Sequence, residues 1–100
     1  MNQDEMNALA ENATQAASLL KAMSNVNRLM ILCTLINGEC SVNELNAKIP
    51  LSQSALSQHL SSLRDANLVA TRRAAQTIFY RLEGDDAKRV ISVLKDIYCP

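Results

Sequence analysis

Glycine and proline are scarce, two of each in 100 residues, which excludes a collagen-like or low-complexity chain. Long apolar runs are missing as well. No stretch approaches the ~18 consecutive apolar residues that a membrane span needs, and the opening Asn2-Gln3-Asp4-Glu5 lacks the basic-then-apolar order of a signal peptide. The expectation is a cytoplasmic protein with no membrane partner. An excess of one charge is absent too: ten Lys and Arg balance ten Asp and Glu, so bulk electrostatics predicts neither nucleic acid nor membrane as a partner. There is no Gly-rich phosphate loop, no Ser or Cys beside a usable His and no cofactor motif, so neither an enzyme nor a cofactor is expected. Cys33, Cys40 and Cys99 have no paired spacing, which speaks against a zinc site, and their odd number speaks against a disulfide framework.

What is present fits one compact domain over residues 1–100, with 48% apolar and 20% charged residues. Met6, Leu9, Ala13, Ala16, Leu20 and Met23 keep one narrow stripe in register and predict a first helix over roughly 4–22. That stripe suits a dimer interface as well as it suits packing within the chain. Ser24 can cap a second helix running to about Ile36, whose dense apolar residues make it the expected buried centre. Asn37-Gly38 stops it, and Ser41-Val42-Asn43-Glu44 matches the capping box that opens a short third helix, ending before Pro50. Ser52 then caps a fourth helix to about Ala66. Two short helices across a tight turn predict a helix-turn-helix.

Residues 68–73 and 77–82 are rich in β-branched and aromatic side chains and predict a two-stranded β-hairpin. Ala74-Ala75-Gln76 between them lacks the Gly of the tightest turns, so a loop of three or more residues is expected. Asp85 or Asp86 opens a last helix with Ala87, Val90, Ile91, Leu94, Ile97 and Tyr98 on one side. The fold class is mainly α: five helices with a two-stranded wing.

Charge is unevenly distributed. Residues 1–51 hold three basic and five acidic side chains, whereas residues 52–82 hold Arg64, Arg72, Arg73 and Arg81 against Asp65 alone. On a wheel of the fourth helix, Leu56, Leu60 and Leu63 fall in one arc, and Gln53, Ser54, Ser57, Gln58, Ser61 and Arg64 spread opposite. An ordinary solvated face carries Lys and Glu; this one offers uncharged donors and acceptors. Gln can bind adenine bidentately, Ser can serve either base edge or phosphate, and a helix fits the major groove. Arginines on a projecting hairpin can pair with flanking phosphates. His59 falls at the rim of the buried arc, where a packed, hydrogen-bonded histidine is expected rather than a ligand.

Leu51-Ser-Gln-Ser-Ala-Leu-Ser-Gln-His-Leu60, Ser61-Ser-Leu-Arg-Asp-Ala-Asn-Leu-Val69 and the hairpin ending Phe79-Tyr-Arg-Leu82 resemble the ArsR/SmtB family of winged-helix repressors. With Leu19-Leu-Lys-Ala-Met-Ser-Asn25 and Arg28-Leu-Met-Ile-Leu-Cys33, the resemblance covers nearly the whole chain. It implies a homodimer, paired through its first and last helices, that binds palindromic double-stranded DNA and leaves it when an inducer binds. The reading residues it implies are Gln53, Ser54, Ser57 and Gln58, in agreement with the outward face. Arg64, Arg72, Arg73 and Gln76 complete the expected DNA-binding set, with the wing taken as about 68–82.

The chain departs from the family's metal sensors. Ser41 and Asn43 stand where those place a Cys-x-Cys pair, and the last helix has no His. The cysteines instead resemble the BigR/HlyU-like persulfide- and redox-responsive branch, with Cys33 in an Ile-Leu-Cys segment and Cys99 between Tyr98 and Pro100; Ala75-Gln76-Thr77 in the wing also resembles that branch. The resemblance implies a Cys33–Cys99 dithiol switch, set by reactive sulfur as inducer, with sulfide-detoxification genes as the expected targets. A competing expectation is a three-thiolate site, Cys33, Cys40 and Cys99, for arsenite or another thiophilic ion. A third is a protein-interaction module whose wing is incidental.

Overall fold

The computed structural model describes residues 1–99; Pro100 lies outside the described residues. Among these residues are five helices, α1 (Gln3–Met23), α2 (Val26–Ile36), α3 (Val42–Lys48), α4 (Gln53–Asp65) and α5 (Asp86–Tyr98), and a small sheet of β1 (Cys40–Ser41), β2 (Val69–Ala74) and β3 (Thr77–Leu82). The sheet is antiparallel in the order β1-β3-β2. Among the described residues no single helix is long and apolar enough to cross a membrane.

Local chemistry sets most boundaries. Asn2 caps α1 through its side chain, and Ser41 and Glu44 complete the expected capping box at α3, with Ser41 N–H donating to Glu44 at 2.9 Å and Glu44 N–H to Ser41 Oγ at 3.1 Å. Ser52 caps α4 by accepting from Ala55 N–H. At α2 the cap is Asn25, not Ser24: its carboxamide oxygen accepts from Asn27 and Arg28 N–H at 2.9 and 3.1 Å. Ser24 is instead spent ending α1, donating its N–H to Lys21. The axes of α1 and α2 meet at 92°, and Arg28 braces this elbow by donating from Nε to the Ala22 carbonyl at 2.7 Å.

The core is aliphatic. Ile31, Leu32 and Leu35 of α2, Leu45 of α3, Leu56, Leu60 and Leu63 of α4 and Ile91 of α5 meet in one buried cluster with Ile49, Leu68 and Val69. Helix α2 is central to it, as its sequence implies, yet Val26 at its start stays 72% exposed. The protein is elongated, 54 × 32 × 21 Å. The reason is α1: residues 1–18 are all exposed, and only its C-terminal end, through Leu19, Ala22 and Met23, joins the body.

The hairpin differs from expectation in two ways. Its turn is two residues, Ala75-Gln76, closed by the Ala74–Thr77 pair. Ala75 takes φ 55°, the left-handed conformation usually left to Gly or Asn, which methyl-sized Ala adopts here at a steric cost. The hairpin also gains a third strand, because Cys40 and Ser41 pair with Tyr80 and Phe79 before α3 begins.

Candidate DNA interface and thiol positions

Helix α4 turns Leu56, Leu60 and Leu63 fully into the core and thereby presents Gln53, Ser54, Ser57, Gln58, Ser61 and Arg64 to solvent. The helix and its partner α3 are joined by the short turn through Pro50, where Asn46 donates to the Leu51 carbonyl at 2.7 Å and fixes the angle between them. His59 is half-buried at the rim, as expected, but makes no side-chain hydrogen bond among the described residues.

The wing's arginines divide between two faces. Opposed residues of antiparallel strands share a face, so the Arg72–Phe79 and Ala70–Arg81 pairs lie on one side, and Arg73–Ile78, Thr71–Tyr80 and Val69–Leu82 on the other, which continues into the core. Arg72 does not extend freely from β2. Its guanidinium lies over the Phe79 ring, 4.6 Å from the centroid, and forks onto Glu39 on the far side of the sheet, with Nε 3.0 and 3.1 Å from the two carboxylate oxygens and Nη2 closing the ion pair. Arg72, chiefly by hydrogen bonding, holds the Glu39 carboxyl below its ordinary value; Arg81 adds a weaker attraction. Arg73, Gln76 and Arg81 are exposed. Glu39 carries no periodicity signal, and only the third strand brings it to the wing.

The three thiols occupy three environments. Cys40 is buried, opposite Tyr80, and burial, reinforced by the charge of Glu44, pushes its thiol up. Cys33 is half-buried and lines a shallow, mostly apolar depression with Val26, Leu29, Met30 and Ile49. Cys99 is exposed, directly after α5. All three are free, and among the described residues no group of three or more Cys, His, Asp or Glu is gathered to hold a metal ion. Helices α2 and α5, which carry or precede Cys33 and Cys99, pack on each other.

A polar helix facing outward beside a basic hairpin has a known counterpart. The family described as "Bacterial regulatory protein, arsR family" matches residues 25–71, and the transcriptional activator HlyU of Vibrio cholerae is 50% identical over 99% of this chain and 89% of its own length. The chain belongs to the ArsR family. Its α3–α4 pair is therefore the helix-turn-helix of an ArsR-family regulator, and β2–β3 its wing. The structure of reduced HlyU from Vibrio cholerae N16961 superposes with a TM-score of 0.87 at 49% identity, covering 93% of this chain and 98% of that one. The transcriptional repressor BigR from Xylella fastidiosa gives 0.87 at 41% identity, covering 100% and 99%. The homodimeric winged helix-turn-helix domain Mb0332 from Mycobacterium bovis gives 0.77 at 29%, covering 96% and 86%. An activator and a repressor thus share one fold with this ArsR-family chain, so the fold alone does not set the sign of regulation. These relatives are DNA-binding regulators of transcription and not enzymes.

Proposed function

We propose that the chain is a homodimeric, DNA-binding transcriptional repressor that senses reactive sulfur through Cys33 and Cys99 and releases a palindromic operator when the two thiols are bridged. The observation that carries the DNA-binding half is the outward face of α4, where Gln53, Ser54, Ser57 and Gln58 are exposed and uncharged. Arg64, Arg73 and Gln76 stand exposed around it as phosphate and flanking contacts, with Arg72 held one step back by Glu39.

Two further observations support the dimer and the switch. Met6 and Leu9 of α1 and Val93 and Ile97 of α5 are each about half exposed or more, a large apolar surface for a monomer to leave in water. The thiols sit on or beside packed helices, with Cys99 accessible at a helix end and Cys33 behind it in access. In the proposed step the Cys99 thiolate attacks the outer sulfur of a persulfide R–S–SH, releasing R–SH and leaving a protein persulfide. Cys33 then attacks the Cys99 sulfur and expels hydrogen sulfide, so two thiols are oxidised and one persulfide is reduced. A second persulfide inserts one more sulfur in the bridge and releases a second R–SH. Moving a dimer from ~99% to ~1% binding-competent takes roughly 5.5 kcal/mol, which corresponds to a difference of about 120 mV in dithiol potential between bound and free protein.

Reduced protein exposed separately to a persulfide donor, peroxide and arsenite, then mapped by peptide mass spectrometry, tests the switch. A Cys33–Cys99 linkage with persulfide is the expected product, and C33S and C99S should each bind DNA while losing the response. Induction surviving in either variant, or arsenic held jointly with Cys40, overturns the dithiol reading and leaves the DNA-binding half standing.

A further inference from the structure

The outer face of the sheet carries an arrangement that neither the thiol switch nor the reading helix uses. Arg72 starts on β2, crosses the central strand β3 above Phe79 and ends on Glu39, just before β1 on the opposite edge. The fork of a guanidinium, its Nε–H and one Nη–H, is the edge that takes a carboxylate or a phosphate bidentately. Here the carboxylate already fills it. Both partners remain solvent-accessible, with side-chain exposures of 48% for Arg72 and 32% for Glu39, so the pair can open without disturbing the core. Among the described residues it is the one ion pair, although the chain holds ten basic and ten acidic side chains. Arg72 falls in the stretch with the local basic excess, and Arg81 of the same stretch adds its attraction to the Glu39 carboxylate.

We infer that Glu39 is an internal competitor for DNA phosphate: its carboxylate occupies the Arg72 fork in the free protein, and binding exchanges that carboxylate for a backbone phosphate. The inference rests on the wing contacting DNA as in the proposed function. Glu39 is then a positioning residue that weakens sequence-independent affinity. Arg72 arrives at the DNA already neutralised, so the cation that leaves the phosphate is offset by one drawn to the freed Glu39 carboxylate, and the contact adds no net cation release. Because the base contacts of α4 are untouched, the exchange lowers non-specific binding at the wing while leaving sequence discrimination to the helix.

The test is the salt dependence of binding to a fluorescently labelled mixed-sequence duplex, which needs no knowledge of the operator. Relative to wild type, Glu39→Gln should bind more tightly at low salt, and the slope of log K against log salt should steepen by about 0.9 for each protomer bound. Glu39→Asp, which keeps the charge, should retain the wild-type slope. In an Arg72→Ala background, Glu39→Gln should leave the slope unchanged. A Glu39→Gln variant with wild-type thermal stability that binds equally or more weakly overturns the inference, and so does the same gain in the Arg72→Ala background. Wild-type protein with no salt-dependent affinity for the duplex overturns the DNA-binding reading itself, and this inference with it.

Discussion

Cys40 and Cys99 are the same residue type in opposite settings. Burial beside Glu44 holds the first as a thiol, whereas the second stands in solvent beyond the last helical turn. Since alkylation requires thiolate and access, iodoacetamide should label Cys99 of the native protein much faster than Cys40, and Cys40 should react only as the fold opens. Peptide mapping over a time course checks this; equal rates would place Cys40 outside the core. The sequence alone does not separate these settings. Cys40 stands one position from a polar cap and has no apolar periodicity around it, and its burial follows from pairing with Tyr80, a partner forty residues away. Arg72 poses the same problem. Its identity is plain in the sequence, but its partner, Glu39, is joined to it only through the sheet.

At the scale of elements, the helices were written locally and the sheet was not. Side-chain caps at Ser41 and Ser52 and the leucine stripe of α4 each act within a few residues, which is why the helix-turn-helix is legible before folding. Strand β1 is two residues long, too short for alternation to register, and the tight turn at Ala75 uses a residue with no turn signature. The capping box gives a measurable quantity. Ser41→Ala removes the hydroxyl that accepts from Glu44 N–H and should cost about 1 kcal/mol in urea unfolding; no loss would mean that the strand pairing alone fixes the start of α3. The box also has a pH signature. Hydrogen bonds from the Ser41 backbone, and then its side chain, hold the Glu44 carboxyl below its ordinary value. Its contribution is therefore present above the ordinary carboxylate range and is lost as pH falls through the lowered value. Glu44→Gln should flatten that part of the acid limb of the stability curve.

For the whole molecule, the dominant feature is how little of α1 its own chain covers. A 21-residue helix whose first sixteen helical residues are exposed gains little from tertiary packing, and helices draw most of their stability from such packing. Val93 and Ile97 extend the uncovered apolar surface on α5. Ile97→Glu places a charge in that surface, which an apolar interface accommodates only at a desolvation cost. Self-association should weaken at least about tenfold, about 1.4 kcal/mol, as read by sedimentation velocity. Unchanged association would move the dimer seam away from α5.

The third strand has a consequence for how such chains can vary. Glu39, Cys40 and Ser41 are consecutive, yet the first receives Arg72 from across the sheet, the second enters the core and the third caps a helix. Adding or deleting one residue between the end of α2 and α3 would turn each side chain to its neighbour's task, carrying the carboxylate inward and the thiol outward. Surface connections usually tolerate changes of length. This one acts as a ruler, so chimeras between related chains should be joined on either side of residues 37–41 and never within them.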